Sequence, residues 1–172
     1  GDIIFMGVSA HFEGGLGTRA VLDAGITADG GLTCEPSNLM INNSHRGAAY
    51  LDVVTYGKQA HTTAKEQGFN AIEAMMPVIA AIGEIELPHE PDSLGPPIVN
   101  VGTIMGGTKH NQVPDRCQIS VDVRLPAGLA PETVLETFKE MLTHVGAGRP
   151  QFRADAAFSP YWLSGPRTAS RT

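Results

Sequence analysis

The sequence predicts an α+β fold. The expected core is a ferredoxin-like β-α-β-β-α-β sandwich with one four-stranded antiparallel sheet, preceded by a fragment of an α/β layer. Three observations carry this. From about residue 46, four short segments read as strands, and the clearest of them alternate apolar and polar residues, the period of a half-buried strand. Two segments between them have apolar spacings of three and four, or a helix-opening proline. Residues 3–8, in contrast, are continuously apolar, as in a strand covered on both faces.

Each element follows in order. Residues 3–8 predict a buried strand, and Gly14, Gly15 and Gly17 a turn after it. Thr18 to Ala24 predicts a short helix stopped by Gly25. Gly31 to Cys34 predicts a second short strand. A β-turn-α-β piece of this size cannot cover its own sheet faces and belongs to a larger layer. Ala49 to Tyr56 opens the sandwich as a half-buried strand. Phe69 to Ile85 predicts an amphipathic helix, with Pro77 as a kink or boundary near its middle. Residues 87–97, rich in proline, predict a loop. Ile98 to Met105 is the next strand, and Gly106-Gly107 a turn. Arg116 to Arg124 turns Cys117, Ile119, Val121 and Val123 inward. Pro131 opens a helix that runs to about His144, and Gln151 to Phe158 is the last strand. Residues 159–172 lose all periodicity and predict a loosely held end.

Composition narrows the function classes. The 172 residues are 42% hydrophobic and 17% charged, which suits a soluble globular chain. The formal net charge is -6 and Lys and Arg form no run, so nucleic acid is not an expected partner. No apolar stretch reaches the ~18 residues of a membrane span, so no membrane partner is expected. Cys34 and Cys117 form no C-x-x-C pair, which argues against a thiolate zinc site and for a reducing, cytoplasmic setting.

Several residues could carry chemistry. Glu35 follows an apolar strand and precedes Pro36. It is either a carboxylate at the carboxyl edge of a parallel sheet, able to bind zinc, or a surface residue in a turn. His61 follows a strand and precedes Thr62-Thr63. It is either a functional imidazole or a cap for the next element. Asn111 lies in a loop between two strands, and its amide can bind a carboxylate or serve a turn. Arg124 ends the following strand, where its fork suits a bidentate carboxylate or simply solvent. His45, His89, His110 and His144 have no second ligand at a useful spacing and read as surface residues.

Cys34-Glu35-Pro36-Ser37, Gly57-Lys58-Gln59-Ala60-His61, Gly68-Phe69-Asn70-Ala71, Asn111-Gln112-Val113-Pro114 and Asp122-Val123-Arg124 occur in one order. In that order the chain resembles the zinc aminoacylase and carboxypeptidase family, which includes acetylornithine deacetylase, succinyl-diaminopimelate desuccinylase and the glutamate carboxypeptidases. The resemblance implies that residues 1–45 are a fragment of the metal-binding catalytic domain, 46–158 the lid or dimerisation domain, and 159–172 an irregular tail. It implies that Glu35 is a metal ligand, that His61 reaches into a partner subunit's site to stabilise an oxyanion, and that Asn111 and Arg124 bind substrate.

The family's Asp-Glu-Glu before a glycine-rich turn is matched only loosely by His11-Phe12-Glu13. With one deletion, Glu13 takes the metal-ligand place and Phe12 the general base. Without a gap, His11 takes the base place and Phe12 the ligand. Phe can do neither job. The family's His-x-Asp pair, bridging Asp and downstream His are absent from this stretch. The expected function is therefore the middle segment of a metal-dependent hydrolase of amide bonds in N-acyl amino acids or small peptides. Zinc is expected in the full-length parent and no cofactor in this chain, which alone is expected to be inactive. The expected partners are a second copy, through the lid, and the parent's small-molecule substrate. The alternative is a non-catalytic ferredoxin-like module for dimerisation or small-ligand binding.

Overall fold

The computed structural model describes residues 1–9, 15–91, 94–160 and 170–171. The first element, α1 (Leu16–Asp23), buries none of its residues. It follows Gly15 and ends before Gly25, both at positive φ. Next come β1 (Ser44–His45), β2 (Gly47–Tyr56) and β3 (Ala60–His61), then a 3-10 turn over Thr62–Gln67 and α2 (Ala71–Gly83). β4 (Ile98–Gly106), β5 (Gln112–Val113), β6 (Arg116–Leu125), α3 (Pro131–Gly146), β7 (Arg153–Phe158) and β8 (Ser170–Arg171) complete the order.

The main sheet has the order β4-β6-β2-β7, and every pairing is antiparallel. With α2 and α3 this is the expected β-α-β-β-α-β sandwich. β2 and β6 form the centre and pair along their whole length, from Gly47↔Leu125 to Tyr56↔Arg116. Leu51, Val53, Ile119, Val121 and Val123 face the helices and are buried. Met75, Val78 and Ile82 of α2 and Val134, Phe138 and Leu142 of α3 close over them. The period-two and helical patterns thus meet in one core.

Local chemistry sets the helix ends. Asn70 Oδ1 accepts from the backbone N–H groups of Ile72 and Glu73 and caps α2. Buried Thr55 donates from Oγ1 to Ala71 O at 2.8 Å and ties that first turn to β2. Pro131 opens α3, where its missing N–H costs nothing. Pro77 lies inside α2 and marks no boundary, because the helix continues to Gly83. No described helix is long and apolar enough to cross a membrane.

The N-terminal expectations fail in part. Residues 3–8 and 31–34 form no strand, and Ile3 (96%), Phe5 (93%) and Leu32 (88%) are exposed. An apolar run becomes a buried strand only beside other strands, and among the described residues none pairs with this segment. Cys117 is buried, whereas Cys34 is exposed; neither forms a disulfide. At the other end, Ser159 N–H donates to Tyr50 O, and β8 pairs with β1. The rest of the expected loose end, residues 161–169 and 172, lies outside the described residues.

Candidate functional site

The best-built candidate lies where β2, β4 and β6 reach the N-terminus of α2. After Tyr56 the chain makes a close turn. Gly57 N–H donates to Asp115 O, and Lys58 pairs both ways with Phe69. A Cβ at Gly57 would sit 2.1 Å from Phe69 O, and one at Gly68 2.8 Å from Lys58 O. Only glycine permits these approaches. The turn delivers β3 to β5 with His61 opposite Gln112.

His61 is exposed and caps the 3-10 turn. Its Nδ1 lies 2.8 Å from Thr63 Oγ1 and accepts from the Thr63 backbone N–H at 3.3 Å. Nε2 has no hydrogen-bond partner among the described residues. Asn111 is also exposed, and its carbonyl accepts from Thr62 N–H at 3.1 Å. The structure therefore brings His61 and Asn111 together, on adjoining segments with both side chains open to solvent.

Arg124 is not part of this group. It pairs with Ala48 and Ile98 at the opposite end of β6. The eight residue steps from Arg116 to Arg124 alone span roughly 26 Å at strand rise. Asn111 and Arg124 of one chain cannot grip the same small carboxylate. Arg124 Nε and Nη2 both bind Asp122 Oδ2, at 3.2 and 2.8 Å, which leaves the far side of its fork free. Asp122 Oδ1 is buried without a hydrogen-bond partner among the described residues.

Glu35 does not project from a sheet edge. It is exposed in an irregular segment, because the strand expected before it does not form. His11 and Glu13 lie outside the described residues. Among the described residues no three His, Cys, Asp or Glu side chains come close enough to hold a metal ion. The described residues by themselves do not make up a zinc centre. His45, His89, His110 and His144 are exposed.

Two open clefts of about 1440 and 630 Å³ lie around Phe69 and Phe152 and share the Gly68-Phe69 segment of this turn. None of Glu35, His61, Asn111 and Arg124 lines them. Two supporting residues escaped sequence reasoning: Thr63, which holds His61, and Asp122, which holds Arg124. Both had a signal. Thr63 is a hydroxyl two residues beyond His61, and Asp122 shares a strand face with Arg124 at the i−2 position.

The edges of the main sheet differ. β7 carries Arg153 and Asp155, charges of the kind that blunt an edge. β4 carries no charged residue, and its Ile98, Ile104 and Met105 are exposed. Ile72 and Met76 of α2 are exposed too. Ile72 lies against the end of β4, within 3.0 Å of where a Cβ on Gly106 would be. Ile104 pairs with buried Ile119 and so shares the helix-bearing face of the sheet.

Residues 43–150 match the family described as the peptidase dimerisation domain. A probable carboxypeptidase of Paracoccidioides lutzii is 32% identical over 121 residues, covering 66% of this chain and 27% of that protein. A probable carboxypeptidase of Aspergillus flavus is 32% identical over 106 residues, covering 58% of this chain and 25% of that protein. The chain thus spans about a quarter of the length of these curated relatives. Among solved structures, the aminobenzoyl-glutamate utilization protein from Klebsiella pneumoniae is similar, with a TM-score of 0.56 and 26% identity. That match covers 73% of this chain and 30% of that one. A hydantoinase/carbamoylase family amidase from Burkholderia ambifaria shares the fold at 16% identity and a TM-score of 0.58, covering 75% of this chain and 30% of that one.

Proposed function

Because this chain belongs to the peptidase dimerisation domain family, of the aminoacylase and carboxypeptidase type, we propose that it is the self-associating lid of a longer amide-bond hydrolase. The domain division at residues 45 and 158 is part of the same proposal. One observation carries it: the uncharged edge of β4 beside exposed Ile72, Met76 and Ile104. A twofold pairing of two such edges would satisfy their backbone groups and cover this apolar surface.

That pairing also addresses the separation within one chain. β4 runs from the Arg124 end of the sheet to the His61 end. Set antiparallel across a twofold axis, it carries the partner's His61 and Asn111 to the end that holds this chain's Arg124. The partner's His61 would then donate to the oxyanion formed as the amide carbonyl is attacked. Arg124 and the partner's Asn111 would hold the substrate carboxylate. Any zinc would be held mainly by residues beyond this stretch, with Glu35 and Glu13 as its proposed contributors.

Mixed dimers of the full-length parent test this directly, with hydrolysis of N-acyl amino acids as the assay. His61→Ala and Arg124→Ala homodimers should each be inactive. Mixing them should restore activity, because one of the two sites in each heterodimer keeps both residues. No restoration in a confirmed heterodimer would sink the cross-subunit reading.

A further inference from the structure

We propose that Thr63 is a positioning residue that fixes the tautomer of His61, placing the neutral ring's proton on Nε2. The inference rests on the reading of His61 as a hydrogen-bond donor and supplies the device that makes it one. A backbone N–H can only donate. The Thr63 N–H points at Nδ1 of His61 at 3.3 Å, so Nδ1 offers its lone pair. The Thr63 hydroxyl, 2.8 Å away, donates to the same nitrogen. The ring proton then sits on Nε2.

Two other histidines in the chain show the opposite arrangement. His45 Nδ1 lies 3.0 Å from Arg46 O, and His89 Nδ1 lies 3.2 Å from Leu87 O. A carbonyl only accepts, so in these neutral rings Nδ1 carries the proton and Nε2 the lone pair. The same side chain thus has an acceptor at Nε2 in His45 and His89 and a donor there in His61. The difference lies in what Nδ1 meets: a backbone carbonyl at His45 and His89, the N–H and hydroxyl of Thr63 at His61. Donation from Nε2 suits a developing oxyanion, whereas a lone pair there would repel it. His61 is thereby assigned to donate and not to take a proton from an attacking water.

Long-range proton–nitrogen NMR of this chain tests the assignment at a pH where the rings are neutral, about 8.5. His61 should show a pyridine-like Nδ1 and a pyrrole-like Nε2, with the reverse at His45 and His89. Thr63→Val loses the hydroxyl at 2.8 Å and keeps only the longer backbone N–H at 3.3 Å, so it should move His61 part of the way toward the tautomer average of His110, and Thr63→Ser should hold the original pattern. A pyrrole-like Nδ1 at His61, or a Thr63→Val spectrum identical at His61, would overturn the proposal. In the full-length parent, Thr63→Val should lower kcat several-fold with KM unchanged, and Thr63→Ser should recover it. If the NMR pattern holds while His61→Ala leaves the parent's hydrolysis intact, the role given to His61 fails and the tautomer assignment stands.

Discussion

Residues 3–8 and residues 49–56 are both short segments that local sequence rules read as strands, the first continuously apolar and the second alternating. In the structure Phe5 is 93% exposed, whereas Leu51 and Val53 are wholly buried. The residue types do not explain the contrast. β2 has β6 on one side, β7 on the other and two helices above it. Among the described residues, no strand neighbours residues 3–8. Burial comes from the company a segment keeps, and its own composition only makes burial favourable.

The sharpest test compares one aromatic residue from each region. Phe138→Ala should cost about 3–5 kcal/mol, because it empties the centre of the core. Phe5→Ala should leave denaturant unfolding of the sandwich unchanged. Hydrogen exchange on this chain, unmodified, should agree, with slow amides at 117–123 and fast ones over residues 1–9 and 26–41. Equal protection in both regions would mean that the N-terminal segment has found a partner.

A second test stays inside the sandwich, at its tightest turn. Gly57→Ala would drive a methyl group into Phe69 O and should cost about 1–3 kcal/mol. Gly30→Ala in the N-terminal segment meets open space and should cost nothing measurable.

The third concerns the apolar residues the sandwich leaves exposed. Met76→Asp or Ile104→Asp should weaken self-association at least tenfold, about 1.4 kcal/mol, with the secondary structure unchanged. Leu32→Asp, at a residue more exposed than either but outside the β4 edge, should not. Light scattering over a concentration series reads the difference, and a monomer at every concentration in the unmodified chain would remove the premise.

Smaller effects sharpen the comparison further. Asn70→Ala removes the cap of α2 and should cost about 1 kcal/mol in thermal unfolding. α1 has no side-chain cap, so nothing equivalent can be removed from it. The smallest effect is a pH slope from Cys117. Burial pushes the Cys117 thiol above its ordinary value, with Arg116 partly opposing. A raised thiol leaves stability intact below the unfolded value, about 8.5, and erodes it as pH climbs toward the folded one. Cys117→Ala should flatten that alkaline loss in denaturant unfolding followed against pH.

Much of the sandwich was legible in the residues. Cys117, Ile119, Val121 and Val123 alternate inward as the period-two rule requires, because a strand's side chains must take opposite faces. Pro131 announced the start of α3. Gly57 and His61 were legible as a spacing. Their physical basis, a backbone approach that excludes any Cβ, appears only in three dimensions. Pro77 does not mark the boundary that is one of its two readings: Ala74, Met75 and Val78 are buried on either side of it and α2 runs on to Gly83.

The sequence by itself determined which faces are apolar, where the helices begin, and the β-α-β-β-α-β order. These follow from local geometry and side-chain polarity, which each segment carries with it. Tertiary structure alone decided that residues 3–8 stay uncovered, that His61 and Asn111 meet, and that Arg124 stands a full strand length away. Those outcomes depend on pairing between segments distant in the chain. No local pattern encodes such pairing, because a hydrogen-bonded edge or a buried face needs a second surface to exist.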